Sequence, residues 1–186
     1  MEKSNNFQNL FGLQIIMGPM FSGKSTELIR RIKLNNLIGR KTLVINSSND
    51  IRCNNEVKTH DSNSVNAIKC DNLLMPFCYK INIMEYDVIA IDEAQFFDDL
   101  EIFVCFLLKK KKSIIVAGLN ADCNQMKFGN IIDLIPKADQ VDFLRGLCIK
   151  CSNGNPGCHT IRTVTSDTQM FIGAGESYKC VCRNCL

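Results

Sequence analysis

Gly18, Gly23, Lys24 and Ser25 stand in the spacing Gly-x-x-x-x-Gly-Lys-Ser within "QIIMGPMFSGKSTELIRRI". Each residue type suits one kind of ligand, a phosphate chain. The loop from Gly18 through Pro19, Met20, Phe21 and Ser22 to Gly23 must turn backbone N–H groups inward as an anion nest, and glycine permits that geometry. Lys24 brings a point charge to the β and γ phosphates. Ser25, at a helix start, offers a hydroxyl to Mg²⁺ while the helix N-terminus adds its dipole. The plain alternative is a glycine turn without a ligand. An apolar strand before the motif and a helical pattern after it argue for a nucleoside triphosphate.

A second chemical pair follows in "VIAIDEA", where Asp92 and Glu93 end an apolar run. Asp92 fits as the Mg²⁺-associated carboxylate, directly or through water. Acids at strand ends also cap helices, which is the competing reading. Glu93, one residue further into the cleft, could align a water or accept a proton from a hydroxyl. "DEAQ" has the look of a helicase motif, but helicases need two nucleotide-binding domains and the chain has room for one. A guanine-reading Asn-Lys-x-Asp is absent from the sequence. By elimination a small nucleotide-dependent transferase leads, with a nucleotide hydrolase or switch as the alternative.

A third group lies near the C-terminus. Cys148-x-x-Cys151 and Cys182-x-x-Cys185 supply four thiolates in two knuckles, as a tetrahedral structural Zn²⁺ requires. A closed four-sulfur shell leaves no open position for chemistry. Buried reduced thiols are the alternative. Cys158, His159 and Cys180 are substitute ligands in principle. Cys180 alternates with Cys182 along a strand and should face the other way. Cys53, Cys70, Cys78 and Cys105 read as core or incidental residues. A zinc-finger nucleic-acid binder is a third reading, weakened by a net charge of only +3 and the lack of a basic recognition helix.

The elements that must position these groups are legible around them. Leu13–Met17 reads as a buried strand entering the loop, and Leu28, Ile29, Ile32 and Leu37 suit a helix stopped by Gly39. Further strands are expected at Lys41–Asn46, Tyr86–Gln95 and Ser113–Leu119, with a helix in "DLEIFVCFLLKK". The run Lys109–Lys112 reads as a solvated helix end rather than a nucleic-acid patch. Alternating strand and helix indicates βαβ units. The expected class is α/β: a P-loop NTPase-type parallel sheet with helices on both faces. Beyond about residue 145 the chain becomes turn-rich, with short β-like pieces at Gln169–Ile172 and Tyr178–Cys182. This is expected to be a small zinc-binding β lobe holding a long substrate-covering loop. The implied organisation is an N-terminal tail 1–12, an α/β domain 13–146 and a zinc lobe 147–186.

The 186 residues are 46% hydrophobic and 22% charged, within the globular range. No apolar run is long enough for a membrane span, and "MEKSNNFQNLFG" lacks a signal-peptide apolar core. A cytoplasmic chain is expected. Of its 11 cysteines six fall between Cys148 and Cys185, which favours metal ligands and reduced thiols over a disulfide framework.

The motifs "GPMFSGKSTELIRRI", "THD" (Thr59–Asp61), "IDEAQFF", "KFG", C-x-x-C, "IGAGESY" and "VCRNC" occur in that order over Leu13–Cys185. The chain thereby resembles the thymidine kinase family of animals, bacteria and large DNA viruses, the P-loop type with a zinc lobe. The resemblance implies transfer of the γ-phosphoryl of ATP to the 5′-hydroxyl of thymidine, with deoxyuridine a further acceptor, giving dTMP for pyrimidine deoxynucleotide salvage and DNA synthesis. It makes Glu93 the proton acceptor. It places Asp50 and Arg52 near Mg²⁺ and the phosphates, with Gln95 also on the nucleotide side. Met20, Phe96, Leu119, Cys123, Phe128 and Thr160 would line the acceptor pocket. Gln169, Met170, Phe171, Ile172 and Gly173 would read the thymine edge by backbone groups, with Tyr178 over the sugar. The family also implies a homotetramer, dTTP as feedback inhibitor, and neither a nucleic-acid nor a membrane partner.

The chain departs from the family pattern in places. Cys123 stands where an aromatic usually stacks on the base, and a thiol lacks that stacking area. Asn120 replaces the usual Asp. The segment Cys151–Thr160 is about two residues longer than usual, with Pro156 and Cys158. Gln169 and Phe171 replace common aliphatic residues.

Overall fold

A computed structural model describes residues 11–50, 56–58, 64–74, 81–164 and 177–186. Strand β1 (Gly12–Gly18) carries the chain into the glycine loop, with both faces covered. Helix α1 (Lys24–Leu37) leads back to β2 (Thr42–Ser47). A short antiparallel pair, β3 (Glu56–Lys58) and β4 (Ser64–Asn66), precedes β5 (Ile68–Cys70). Then come β6 (Val88–Ile91), α2 (Leu100–Lys109), β7 (Ser113–Leu119) and β8 (Gln140–Phe143).

Six strands form one sheet in the order β5-β2-β6-β7-β1-β8. Every neighbouring pair in it is parallel. Alternate side chains divide it into two cores. Leu13, Ile15, Ile89, Ile91 and Ile114 pack with Phe103, Val104 and Leu107 of α2. Ile16, Val44, Val88, Ile115 and Ala117 pack with Leu28, Ile29 and Ile32 of α1. Burying each Val, Leu, Ile or Phe side chain among these stabilises by about 1.5–3 kcal/mol. The crossovers β1→β2 and β6→β7 run in opposite directions across the sheet, so right-handed connections must put α1 and α2 on opposite faces. Parallel strands bring Gly18, Asp92 and Leu119 to one edge, the carboxyl edge where ligands bind in open α/β sheets.

The C-terminal segment builds two small antiparallel pairs. One joins β9 (Gly146–Leu147) to β10 (Pro156–Gly157), and the other joins β11 (His159–Arg162) to β12 (Tyr178–Val181). Cys148, Val181 and Cys182 form its own core, with Ile161 against it.

The expected strands at the loop, at Lys41–Asn46 and at Ser113–Leu119 are present within one residue. The expected strand Tyr86–Gln95 is shorter. It ends at Ile91, and Ala94–Phe96 form a 3₁₀ turn. The lysine run does end α2, and Lys112 Nζ then donates to the carbonyls of Met84 and Tyr86 at 3.0 and 2.6 Å. The β-like piece expected at Gln169–Ile172 lies outside the described residues.

Candidate active site

The glycine loop closes on itself. Gly23 takes φ 81°, a left-handed conformation that a side chain would disfavour, and its carbonyl accepts the N–H of Glu27 at 3.0 Å to begin α1. Both the Ser22 hydroxyl, at 2.9 Å, and Lys24 Nζ, at 2.7 Å, donate to the Pro19 carbonyl. The lysine thus curls over the loop it belongs to. Met20 is turned differently. Its N–H donates to Thr160 Oγ1 at 2.9 Å, toward the C-terminal hairpin rather than into the nest.

Asp92 directly follows β6 and is 2% exposed, its N–H bonded to Ile45 O at 2.9 Å. Its Oδ2 accepts the Ser25 hydroxyl at 2.9 Å, which joins the loop motif to the strand-end motif. A hydroxyl and a carboxylate side by side are hard oxygen donors, the set a Mg²⁺ ion accompanied by phosphates takes. The donor set fits that ion.

Glu93 then leaves the sheet, with φ 50° and ψ 41°. Its Oε2 accepts Gln95 Nε2 at 2.6 Å. Gln95, expected on the nucleotide side, is 3% exposed, and its Oε1 accepts the Leu119 N–H at 2.9 Å. Phe96 stands edge-on to Phe128, ring centroids 5.6 Å apart at 89°, an arrangement worth about 0.5–1.5 kcal/mol beyond area burial. Phe96 and Phe128 are thus in contact, and Leu119 is bonded to Gln95, the partner of Glu93. Cys123 lies half-buried in the loop after β7, where Asp122 Oδ1 accepts the N–H groups of Asn124 and Met126, both at 2.9 Å.

Asp50 is buried past the end of β2, where its Oδ2 accepts Asn46 Nδ2 at 3.0 Å. Tyr178 opens β12 beneath the Arg162 guanidinium, 5.6 Å from its ring centroid. Arg52, Gln169, Met170, Phe171, Ile172 and Gly173 lie outside the described residues, as do Thr59–Asp61. A cavity of about 500 Å³ opens between the loop after β7 and the C-terminal segment, lined by Asn120, Phe143, His159, Thr160 and Arg183 among others. Burial, and then the charge of Arg183, holds His159 below its ordinary value.

The sulfurs of Cys148, Cys151, Cys182 and Cys185 lie within 4.8 Å of one another. Cys151 Sγ is 3.5 Å from Cys182 Sγ and 3.2 Å from Cys185 Sγ. A Zn–S bond near 2.3 Å implies a tetrahedral edge of about 3.8 Å, so the cluster has the right size for that ion. The Cys151 N–H donates to Cys148 Sγ at 3.5 Å and is the leading cause drawing that thiol down to about 6. Cys185 is pushed up to about 12, foremost by its contact with Cys151. Protons crowded among four sulfurs in this way are what a divalent cation displaces. Cys180 stands outside the cluster, its sulfur against Gly146, and burial pushes its thiol up.

Two site residues act in ways not apparent from the sequence. Thr160 steadies the loop backbone, and Gln95 bridges the strand-end acid to β7. Neither carries a local signal, because the partners lie 140 and 24 residues away.

A family model described as thymidine kinase matches residues 11–186. The chain is 39% identical over 178 residues to thymidine kinase 1 of Dictyostelium discoideum, covering 93% of this chain and 76% of that protein. It is 42% identical over 175 residues to the thymidine kinase of Yaba monkey tumor virus, covering 93% of each chain. Against the Variola virus thymidine kinase it is 38% identical over 174 residues, covering 93% of this chain and 95% of that one. With a phosphate loop joined to a strand-end carboxylate and a four-cysteine cluster behind it, the chain belongs to the thymidine kinase family.

Proposed function

We infer that the chain transfers the γ-phosphoryl group of ATP to the 5′-hydroxyl of thymidine. The observation that carries this reading is the division of labour between adjacent acids. Asp92 accepts from Ser25 of the phosphate loop, while Glu93 accepts from Gln95, whose oxygen holds Leu119 and whose neighbour Phe96 meets Phe128.

In the reaction the thymidine 5′-oxygen forms a bond to the γ-phosphorus as the bond from that phosphorus to the β–γ bridging oxygen breaks. ADP leaves with that electron pair, and the 5′-hydroxyl proton passes to Glu93. The products are dTMP and ADP, which serve pyrimidine deoxynucleotide salvage. Residues 18–25 hold the phosphates, Lys24 neutralising charge that develops on them. Asp50 and Arg52 stand with them. Ser25 and Asp92 would hold Mg²⁺, which supplies further charge neutralisation when bound. Met20, Cys123, Thr160, Tyr178 and the backbone of 169–173 complete the acceptor pocket, and deoxyuridine is a second acceptor. Cys148, Cys151, Cys182 and Cys185 hold a structural Zn²⁺. The chain works as a cytoplasmic homotetramer, with dTTP as feedback ligand at the acceptor site.

The test compares ADP formation from ATP and Mg²⁺ with and without thymidine. Matched appearance of ADP and dTMP only when thymidine is present is expected. ADP release at the same rate without any nucleoside would make the chain a hydrolase and overturn the reading.

A further inference from the structure

The side-chain amide of Gln95 is fixed at both ends. A backbone N–H can only donate, so the Leu119 N–H, at 2.9 Å, requires the oxygen end of the amide. The nitrogen end must then face Glu93, and it does so at 2.6 Å from Oε2. Which way the amide points is therefore settled by the main chain of β7.

The surroundings admit little movement. Gln95 is 3% exposed. A Cβ built on Gly118 would come within 2.7 Å of Gln95 Oε1, so a side chain there would have to displace the amide. Gly129, at φ 60°, lays its backbone against the Gln95 carbonyl, where any side chain would overlap it. Phe128 beside it meets Phe96, the residue after Gln95. The Glu93 carboxylate sits on a left-handed backbone that its own residue type disfavours, so its direction has to be imposed by neighbours.

We propose that Gln95 is a positioning residue for phosphoryl transfer: its amide carries the placement of β7 to the Glu93 carboxylate and aims that carboxylate at the acceptor hydroxyl. This rests on Glu93 being the proton acceptor. Misplacement of a proton-accepting carboxylate by about 1 Å costs on the order of 100-fold in rate. In this role Gln95 acts through Glu93 rather than on either substrate. Its effect on rate passes entirely through Glu93.

The test is a double-mutant cycle on the full chain, with kcat measured at saturating ATP and thymidine. Gln95→Glu keeps the acceptor for Leu119 and replaces the donor to Glu93 by an oxygen. Gln95→Met removes both at similar volume, and either variant that keeps the parent melting temperature within a few degrees suffices. Expected is a fall in kcat of about 10- to 100-fold, with KM for each substrate within about 3-fold of the parent. In a Glu93→Gln background the same substitution should change the residual kcat less than 2-fold. An equal loss in both backgrounds, or an unchanged kcat in the parent, overturns the proposal. Full turnover by Glu93→Gln alone would instead overturn the assignment of Glu93, so the two failures are distinguishable.

Discussion

Glu93 is one of five non-glycine residues with positive φ among those described, and Phe21 of the phosphate loop is another. Backbone of this kind costs on the order of 1–3 kcal/mol per residue and persists only where the surroundings impose it. Here it lets two consecutive acids serve different partners, since a residue continuing β6 would point Glu93 back into a core. Glu93→Gln should leave the ATP side intact, because Asp92 and Ser25 do not depend on that carboxylate. The expected outcome is a kcat lower by about 10²- to 10⁴-fold, with ATP still raising the melting temperature as it does for the parent. Loss of the ATP-induced shift together with activity would mean that Glu93 serves nucleotide binding rather than proton transfer.

At the scale of elements, α1 is fastened to the sheet by charge as well as by apolar packing. Arg31, 4% exposed, donates to Glu27 at 2.8 Å on its own helix, to Gln14 of β1 at 2.9 Å and to Asp142 of β8 at 2.7 Å. Glu27 also receives a bidentate bond from Arg30, at 2.6 and 2.7 Å. That bond first, and Arg31 as well, brings the Glu27 carboxyl down from 4.5 to about 2 against the opposing effect of burial. The folded value lies below the unfolded one, so the stabilisation is fully present above about pH 4.5. It is lost as pH falls toward 2. Glu27→Gln should therefore melt about 3 °C lower at pH 7, for roughly 1 kcal/mol after solvent screening, with the gap closing by pH 2. A gap that stayed constant over that range would rule out the ionic origin. β8 itself was not legible in the sequence. "QVDF" is a polar edge strand whose Val141 and Phe143 are 40% and 45% exposed, and among the described strands it is bonded only to β1. β1, β6 and β7 were legible because burial on both faces demands unbroken apolar runs. The end of β6 was misjudged, since nothing local to "IDEAQ" tells that Glu93 turns left-handed. The Gln95 contact that holds it comes from a strand 24 residues on. The phosphate loop and the cysteine knuckles could be read because spacing alone defines them. The acceptor pocket expected of Phe96, Leu119 and Phe128 came only with the family resemblance, because these are ordinary apolar residues scattered along the chain.

At the scale of the molecule, the cysteine cluster reaches the phosphate loop through its hairpins. Thr160 on β11 holds the Met20 N–H, and Gly146 on β9 is wedged between the Phe21 carbonyl and the Cys180 sulfur, where a Cβ would lie 3.0 and 2.9 Å from them. The Ile149 N–H bonds Cys180 O at 3.1 Å, which ties the first knuckle to β12. Among the described residues the core cluster of this C-terminal part is Cys148, Val181 and Cys182, too little apolar area to order it unaided. Four thiols drawn together by a cation would supply the missing cohesion. The large parallel sheet has two cores of its own and does not need the metal. Stripping zinc with a thiol-competing chelator, followed by excess Mg²⁺ to exclude its loss as the cause, should therefore abolish thymidine phosphorylation. The far-ultraviolet signature of the sheet and helices should remain, and zinc alone should restore turnover at one ion per chain. Cys151→Ser should behave as the stripped protein does. Cys180→Ser, outside the cluster, should keep its zinc. Full activity in the metal-free chain would show that the loop holds its shape without the hairpins, and that Thr160 merely rests against Met20.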